Sequence, residues 1–409
     1  MSFVQLGVCK ELLDVIEKLG WSKPSDIQAK AIPHALRGKD VVGLAETGSG
    51  KTAAFAIPIL QSLIKKPKHN FALVLTPTRE LAVQLKSHFL ELGNIYGLKV
   101  ICLVGGQHIE DQLRDLKSSK YHVIIGTPGR VVFHIENSKE LRLNRIHYLV
   151  LDEADQMLDD TFETQLPLIL SKLPSTHHTY LYSATMSSKV GKIKDICTRS
   201  PVIVEAGGEY TKVKKLDHAF VFLPDQERDV YLVYLLSSTS SKTVSNSRTI
   251  VFTATWRDSF RIASLIKLLS SVVGGTAAPL NGAMRQDKRQ SALFSFRSGD
   301  VSILVATDLA ARGLDIPDVD LIINYDVPRR PSWSDSAKAY IHRVGRTARA
   351  GRPGRAVTLV TPYSATRLKA IESALEECIP QLPWPGLACV NPELREQILA
   401  ADKQARAVS

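Results

Sequence analysis

The feature that most constrains this chain is a regular alternation of short β-rich runs with helical patterns. In the first half the runs are DVVGL, FALVLT, KVICLVGG, HVIIGT, YLVLDEAD and TYLYSAT. In the second half they are HAFVFL, TIVFTAT, VSILVATD, DLIINYD and AVTLVT. Alternating strands and helices are typical of parallel sheets covered by helices. We therefore predict an α/β protein, and 409 residues are enough for two domains.

A break in hydrophobic periodicity within VEAGGEYTKVKKLDH predicts the boundary between the two domains. Two further segments are predicted to be surface insertions: the Ser/Thr-rich 237–247, expected to be a mobile loop, and 329–339, RRPSWSDSAKA. The predicted division is an N-terminal domain at 1–207, a linker at 208–217, a C-terminal domain at 218–390 and a short charged tail at 391–409. The tail is a candidate for a short helix that is expected to fray.

Composition narrows the class of protein. No uncharged apolar run approaches the roughly 18 residues that cross a bilayer, so we expect no membrane partner. The N-terminus lacks a signal-peptide core and instead predicts an amphipathic helix with Leu12, Leu13, Ile16 and Leu19 on one face. Five scattered cysteines without a CxxC pair argue against a zinc site and for a reducing compartment. The formal charge of +11 suits nucleic acid, but a basic surface without such a partner explains it equally well.

The segment AETGSGKT begins at Ala45, after an apolar run and before a helical pattern. A glycine-rich turn between a strand and a helix points backbone N–H groups and the positive end of the helix dipole at phosphate oxygens. Gly48 and Gly50 permit the close backbone approach. Lys51 would reach the β- and γ-phosphates, and the Thr52 hydroxyl would ligate Mg²⁺. The segment predicts a triphosphate site, although Ala45 replaces the first glycine of the general pattern.

The run YLVLDEADQML places carboxylates at the end of an apolar strand. In a chain that already has a phosphate-binding turn, such carboxylates form the second half of the site. Asp152 would hold Mg²⁺, directly or through water, and Glu153 would polarise the attacking water. The pair predicts hydrolysis of the bound triphosphate.

The second half of the chain lacks a GK[ST] sequence, so we expect it to bind no triphosphate of its own. Its run YIHRVGRTARAGR holds four closely spaced arginines, Arg343, Arg346, Arg349 and Arg352. Arginine pairs bidentately with phosphate and stabilises the charge on a transferring phosphoryl group. A basic helix that binds nucleic acid is the other interpretation. Given the triphosphate site in the first half, we expect these arginines to act on its γ-phosphate across a cleft between the domains.

The sequence DEAD at Asp152–Asp155, together with the phosphate-binding turn, resembles the DEAD-box RNA helicase family. The other motifs of that family follow in order: GWSKPSDIQ at 20–28, PTRELA at 77–82, GG at 105–106, TPGR at 127–130, SAT at 183–185, IVFTAT at 250–255, QDKR at 286–289, ATDLAARGLD at 306–315 and HRVGRTAR at 342–349. The resemblance spans roughly residues 3–365. It implies two tandem RecA-like domains, each a mostly parallel sheet flanked by helices, with the ATP site in the interdomain cleft.

The resemblance also implies ATP and Mg²⁺ as ligands and assigns roles to individual residues. Those implied in nucleotide binding are Phe3, Trp21, Gln28, Thr47, Gly48, Ser49, Gly50, Lys51, Thr52, Gly313 and Asp315, with Gln28 selecting adenine and Asp315 contacting the ribose. Those implied in catalysis are Lys51, Asp152, Glu153, Arg346 and Arg349, with Thr52 and Asp152 on the metal. Asp155, Ser183, Thr185 and His342 would couple hydrolysis to domain closure. Arg79, Gly106, Thr127, Arg130, Arg289 and Thr307 would grip the RNA backbone.

Contacts of this kind imply an ATP-dependent RNA helicase with little sequence specificity, because backbone N–H, hydroxyl and guanidinium groups favour phosphate and 2′-OH over base edges. The family unwinds short duplexes locally as its domains close. An ATP-gated RNA clamp with slow turnover would carry the same motifs, so the sequence does not distinguish it from a helicase. A DNA translocase of the same architecture fits the backbone-directed motifs less well.

Within the family, segments such as GLAETGSGKTAAFAIPIL are most similar to members that process pre-ribosomal RNA in the nucleolus. The implied partners are therefore RNA and ribosome-assembly proteins, with the chain itself a monomer in the nucleus, or alternatively in the cytoplasm. Three departures from the family pattern are expected to be minor: Trp21 for phenylalanine, Leu314 for isoleucine and Ala348 for glycine. None of them is a phosphate-site residue, so we expect an active ATPase.

Overall fold

The structure, a computed structural model, describes residues 1–45, 48–94, 97–118, 120–157, 160–206, 216–240, 247–308, 319–329, 332–348, 353–383 and 390–408. The chain divides into two compact units, one within Met1–Glu209 and one within Tyr210–Arg312 and Ile316–Ser409. Each unit contains a seven-stranded sheet in which the paired strands are parallel. The α/β class and the two parallel sheets predicted from the sequence are confirmed.

In the first unit the strands are β1 (Val41–Leu44), β2 (Ala72–Leu75), β3 (Val100–Leu103), β4 (Val123–Gly126), β5 (Tyr148–Leu151), β6 (His178–Ser183) and β7 (Val202–Glu205). The helices are α1 (Lys10–Lys18), α2 (Asp26–Leu36), α3 (Lys51–Lys65), α4 (Arg79–Gly93), α5 (Ile109–Lys117), α6 (Pro128–Asn137), α7 (Asp160–Ser171) and α8 (Ser188–Cys197). The sheet order is β3-β4-β2-β5-β6-β1-β7. Because the strands run in one direction, the turns that follow them meet at one edge, here called the carboxyl edge. The loops that enter them meet at the opposite, amino edge.

The strands of this sheet are short apolar runs because a parallel sheet covered on both faces buries both sides of each strand. All four residues of β2, β3, β4 and β5 are buried. Gly43 in β1 has no room for a Cβ because the ring of Tyr182 in β6 lies against it. Tyr182 packs in turn on Phe55 of α3, with 5.4 Å between the ring centroids. This contact anchors α3, the helix that follows the phosphate-binding turn, on the sheet.

The amphipathic helix predicted at the N-terminus is confirmed as α1. Leu12 and Ile16 are buried, and Leu13 and Leu19 pack against the same hydrophobic cluster. Val15, which the sequence analysis did not include, is buried as well. Within the described part of the chain, no helix has both the length and the apolarity required to cross a membrane.

In the second unit the strands are β8 (Leu216–Phe222), β9 (Thr249–Thr253), β10 (Ala277–Leu280), β11 (Ile303–Thr307), β12 (Leu321–Asn324), β13 (Gly354–Val360) and β14 (Gln381–Leu382). The helices are α9 (Arg228–Ser240), α10 (Trp256–Leu268), α11 (Ser270–Val273), α12 (Gln286–Ser298), α13 (Trp333–Val344), α14 (Ala365–Leu375) and α15 (Pro392–Val408). The sheet order is β10-β11-β9-β12-β13-β8-β14.

Each of the eleven runs predicted as strands overlaps a strand of the structure. Three strands were missed. Strand β7 runs into the segment interpreted as the domain boundary, which begins at Val204, while β10 contains Pro279 and β14 has only two residues. The predicted linker at 208–217 lies mostly outside the described residues, and its last two positions, Leu216 and Asp217, already belong to β8.

Two predicted insertions are partly helical. The first four residues of 237–247 complete α9, and 241–246 lie outside the described residues. The prediction of a surface insertion at 329–339 is wrong from Trp333 onward, because α13 begins there and buries Ser336, Ala337 and Ala339. Trp333 itself is 56% exposed at the start of this helix.

The helix candidate in the charged tail at 391–409 is confirmed as α15. The expectation that this helix frays is wrong for the described residues, because it packs on the second unit. Ile398, Ala401 and Ala405 of this helix are buried in the core of the second unit. Asp402 accepts a hydrogen bond from Nη1 of Arg261 at 2.5 Å, and the same guanidinium binds Asp229 of α9 at 2.8 Å. Charged residues on the outer face of α15 hid this apolar face in the sequence.

We predict that α15 contributes to the stability of the second unit. Ile398→Ala should lower the free energy of unfolding by about 2–4 kcal/mol, because it leaves a cavity in the core. Leu399→Ala is the matched control, since Leu399 is 47% exposed whereas Ile398 is 1% exposed. Its effect should stay within about 0.5 kcal/mol. Urea denaturation of both variants tests this, and equal small effects would contradict the docking of α15.

Candidate functional site

Three turns meet at the carboxyl edge of the first unit because β5, β6 and β1 are neighbours in the sheet. They are the phosphate-binding turn after β1, the acidic segment after β5 and the SAT segment at the end of β6. Backbone hydrogen bonds continue past the strand ends, from Ala45 N to Ser183 O at 2.9 Å and from Asp152 N to Leu75 O at 2.9 Å. The ladder of the sheet thus holds the predicted catalytic segments together.

The turn before α3 has the backbone that the sequence predicted. Gly48 and Gly50 have φ values of 86° and 93°, in the left-handed region that glycine tolerates best. Helix α3 begins at Lys51, so the N–H groups of its first turn are available to an anion. Ser49 and Thr52 lie in the same turn, whereas Thr47 lies outside the described residues.

Lys51 is a buried cation whose ammonium nitrogen has no hydrogen-bond partner among the described residues. A buried, unsatisfied ammonium is costly, so the site is built for an anionic ligand. Triphosphate oxygens match this requirement.

Asp152 and Glu153 are almost completely buried, with 3% and 2% of their surfaces exposed. Glu153 has φ 54° and ψ 49°, a left-handed conformation that is strained for a non-glycine residue and typical of functional sites. Asp152 Oδ1 accepts a hydrogen bond from Glu153 N at 3.1 Å. Burial raises the pKa of Asp152 to about 7, and the charges of Glu153 and Asp155 add to this effect while that of Lys51 opposes it.

Gln28 connects the upstream motif to the phosphate-binding turn. Its Oε1 accepts a hydrogen bond from Ser25 N at 2.9 Å, and its Nε2 donates to Gly50 O at 3.0 Å. Trp21 lines the same cavity as Gln28 and is 37% exposed. Phe3, which the resemblance placed at the nucleotide, is buried in the hydrophobic core of the first unit.

These residues surround a cavity of about 530 Å³, which is within the range of small-molecule sites. The cavity is bounded by the Gln28 segment, the turn from Gly48 to Thr52, and the acidic pair. Its remaining wall is α4, through Gln84, His88 and Leu92, which the sequence analysis missed. Their spacing of four residues places them on one helical face, and this spacing is the feature of the sequence that could have indicated their shared position.

The residues of the first unit that are predicted to couple hydrolysis to domain closure lie together. Thr185 Oγ1 donates to Asp155 Oδ2 at 3.4 Å. Ser183 Oγ donates to Thr185 O at 2.8 Å, which fixes the turn after β6. The segment after β6 therefore contacts the acidic segment directly, whereas the role of His342 stays a prediction.

The predicted RNA-contacting residues of the first unit follow β2, β3 and β4, which are also neighbours in the sheet. The Arg79 guanidinium lies against Gly105, next to Gly106 with its φ of 78°. Thr127 precedes α6, and its N–H donates to Leu103 O at 3.1 Å.

Arg130 is held by the protein itself. Its Nε donates to Gln112 Oε1 and its Nη2 to Gln107 O, both at 2.9 Å. Burial and the charge of Arg79 lower the pKa of Arg130. Gln112 also donates to Val104 O and contacts His134, so it positions Arg130. The sequence signal was a glutamine on the apolar face of α5, and it was missed.

In the second unit the Arg343 guanidinium is engaged by hydrogen bonds within the protein, so its interpretation as a phosphate-binding arginine is wrong. Its guanidinium is 3% exposed and bonds Asp308 through Nε at 2.5 Å and Nη2 at 3.0 Å. Nη1 donates to Asn324 Oδ1 at 3.2 Å and to Asp326 O at 2.6 Å. Arg343 therefore fixes α13 on the ends of β11 and β12.

The other predicted residues of this unit are only partly described. Arg346 is buried, Thr307 ends β11, and Arg289 lies on α12, which follows the neighbouring strand β10. Arg349, Arg352, Gly313, Leu314 and Asp315 lie outside the described residues. Ala348, expected to be a minor departure, has φ 56°, so its side chain is strained where glycine would not be.

We predict that Asp152 makes the nucleotide-free protein less stable as the pH rises. Its pKa is raised above the unfolded value, so its ionisation favours unfolding as the pH rises towards about 7. Asp152→Asn should therefore increase the free energy of unfolding by about 1 kcal/mol or more at about pH 8, and by less at about pH 5. The exposed Asp14→Asn is the control. Urea denaturation at both pH values decides, and a destabilised Asn variant at the higher pH would contradict the raised pKa.

Two family profiles match the chain, one described as DEAD/DEAH box helicase over residues 25–193 and one as helicase conserved C-terminal domain over residues 228–351. The ATP-dependent rRNA helicase RRP3 of Meyerozyma guilliermondii is 46% identical over 390 residues, which cover 95% of this chain and 79% of that protein. The probable ATP-dependent RNA helicase DDX47 of Homo sapiens is 44% identical over 382 residues, covering 93% and 80%.

Among solved structures, S. cerevisiae Dbp5 bound to RNA and ADP BeF3 is similar to this chain with a TM-score of 0.83 and 28% identity. The similarity covers 98% of this chain and 99% of that chain. The sheets described above are therefore tandem RecA-like domains, and the chain belongs to the DEAD-box family of ATP-dependent RNA helicases.

Proposed function

We propose that this helicase remodels RNA during pre-rRNA processing and ribosome assembly, and that it does so in the nucleus. The proposal rests on relatives such as RRP3, named as an rRNA helicase, which aligns with 95% of this chain. Ribosome-assembly proteins as partners, a monomeric chain and the roles of individual residues belong to the same proposal.

The observation that carries the chemistry is the buried ammonium of Lys51, which has no hydrogen-bond partner in the described part of the chain, together with the buried carboxyls of Asp152 and Glu153. The first group would bind the β- and γ-phosphates of ATP. Glu153 would orient a water molecule and accept its proton as the water oxygen attacks the γ-phosphorus. The bond from the γ-phosphorus to the bridging oxygen breaks, and ADP and phosphate leave. Arg346 and Arg349 would stabilise the charge on the transferring group.

Mg²⁺ fits the donor set of this site, because a carboxylate and a hydroxyl are the oxygen ligands it prefers. Thr52 and Asp152 would hold it, and it would neutralise charge on the phosphate oxygens. A bound cation also lowers the pKa of a neighbouring carboxyl, so Asp152 would be ionised in the loaded site.

RNA would contact the neighbouring part of the carboxyl edge, where Arg79, Gly106, Thr127 and Arg130 follow β2, β3 and β4. Arg289 and Thr307 would contribute from the second unit. Because the SAT segment contacts Asp155, a change in the ATP site would reach the turn after β6 directly.

We predict that single-stranded RNA stimulates ATP hydrolysis and that DNA of the same sequence does not. The reason is that the RNA-contacting groups suit phosphate and 2′-OH contacts. Steady-state hydrolysis without nucleic acid, with RNA and with DNA tests this. Equal stimulation by DNA would favour a translocase, and stimulation by RNA without strand displacement would favour an RNA clamp.

We predict that Glu153→Gln retains ATP and RNA binding but lowers the hydrolysis rate by roughly 100-fold or more, because the water loses its general base. Lys51→Ala should weaken ATP binding itself, since it removes the buried cation. Lys65→Ala, at the other, exposed end of α3, is the control. Binding of a fluorescent ATP analogue separates the two defects, and wild-type hydrolysis by the Gln variant would disprove the assigned role.

A further inference from the structure

We propose that the amino edge of the first unit is a second RNA-binding surface, separate from the motif residues at the carboxyl edge. We call it the amino-edge strip. It consists of the loops that enter the seven strands, at 37–40, 66–71, 97–99, 118 with 120–122, 138–147, 172–177 and 198–201. The inference rests on the proposed function in that the ligand is RNA.

The strip concentrates positive charge. Its loops contain eleven Lys and Arg residues, all exposed, against two acidic residues, Asp40 and Glu140. The whole chain has 52 basic and 41 acidic residues, so this balance is far from the average. Asp40 does not offset the charge at the surface, because it is buried and accepts hydrogen bonds from Thr179 N at 3.0 Å and Arg199 N at 2.8 Å.

These eleven cations form no ion pair with any carboxylate of the described residues. Lys68 instead contacts His147 Nε2 at 3.3 Å. A clustered set of cations without nearby ion pairs produces a positive surface potential, which favours a polyanionic ligand. Phosphates along a nucleic-acid strand supply that charge repeatedly.

Flat rings lie between the cations. His69 and His122 stack with ring centroids 5.1 Å apart, and His147 lies 5.1 Å from Phe71. Backbone bonds hold these positions, with His147 N donating to Phe71 O at 2.8 Å and Lys99 N donating to His122 Nδ1 at 3.0 Å. The three imidazoles therefore precede the neighbouring strands β4, β2 and β5, whereas Phe71, against which His147 packs, is buried in the core.

The imidazoles suit base stacking at neutral pH. Burial and the neighbouring charges of His69 and Lys99 lower the pKa of His122, and burial with the charge of Lys68 lowers that of His147. Both rings are therefore less readily protonated than a free imidazole, and lysines and arginines lie around them. Cations interleaved with stacking rings are typical of surfaces that bind single-stranded nucleic acid. An acidic peptide would use the charges alone.

The strip lies at the opposite end of the strands from the ATP and motif residues. A four-residue strand is about 13 Å long, so one bound nucleotide cannot contact both edges. Seven strands span about 29 Å, which is room for several nucleotides. We therefore expect the strip to contribute to the affinity for long RNA and not for RNA that only fills the carboxyl edge.

The test compares a strip variant, Lys66→Gln with Lys68→Gln and Arg145→Gln, with a control variant, Lys10→Gln with Lys18→Gln and Lys192→Gln. All six residues are exposed in the first unit, so the charge change is the same. Fluorescence anisotropy without nucleotide measures the affinity for single-stranded RNA of about 8 and about 30 nucleotides over a range of salt concentrations.

We expect the strip variant to bind the long RNA about 10-fold or more weakly than the control, with a salt slope smaller by about 2, because each lost phosphate contact removes about 0.7. Affinity for the short RNA and hydrolysis at saturating RNA should match the control. Equal affinities of both variants for the long RNA would overturn the proposal. The proposal would also be overturned if polyglutamate bound at the strip while the strip variant kept its affinity for RNA. That outcome would indicate an acidic protein partner. Absence of RNA-stimulated hydrolysis would instead contradict the proposed function, and the binding measurement is independent of it.

A second variant separates stacking from charge. His69→Ala removes an exposed ring of the strip and should weaken binding of the long RNA while leaving the salt slope unchanged. Unchanged affinity would remove the stacking part of the proposal, and a changed slope would show that the ring acts as a cation.

Discussion

The parallel pairing of the strands is the constraint on which the rest of the structure depends. In a parallel sheet every strand ends at the same edge, so segments far apart in sequence become neighbours there without any direct attraction between them. In the first unit the order β3-β4-β2-β5-β6-β1 divides that edge into two halves. The turns after β5, β6 and β1 form the proposed nucleotide site, and those after β2, β3 and β4 carry the residues proposed to contact RNA. The hydrogen bonds of one sheet therefore determine the distance between the proposed nucleotide site and the residues proposed to contact RNA.

The nucleotide site keeps charges in an environment that disfavours them. Among the described residues the Lys51 ammonium has no hydrogen-bond partner, burial raises the pKa of Asp152 to about 7, and Glu153 has a strained backbone. Each of these features costs folding free energy, which the cores described above must offset. Phosphates and a cation would remove much of the cost when they bind. The empty site is thus less stable than the occupied one, so ligand binding would stabilise the surrounding turns.

Much of the fold was predictable because strands of a covered parallel sheet are compact apolar runs between turn residues. The missed strands lacked that signal, since β10 includes Pro279 and β14 has two residues. The site was predictable where a motif requires particular atoms, as at Gly50 and Lys51. Contacts that depend on three-dimensional packing were not predictable, because the sequence shows neither the burial of a side chain nor its hydrogen-bond partners. Gln112 positions Arg130 only because α5 packs beside α6, and the left-handed backbone of Ala348 is visible only in the structure.

Arg343 shows how a motif can combine two kinds of residue at helical spacing. Its guanidinium is fully occupied by Asp308, Asn324 and the Asp326 carbonyl, and Thr347 Oγ1 donates to Val319 O. Arg346, which follows the end of α13, therefore lies between two residues, Arg343 and Thr347, that are held by hydrogen bonds. In a mutational screen, losses of Arg343 and Arg346 would give the same inactive phenotype for different reasons. Loss of Arg343 would displace the segment that positions Arg346, whereas loss of Arg346 would remove the guanidinium proposed to contact the phosphate. Activity alone would therefore not distinguish the two roles.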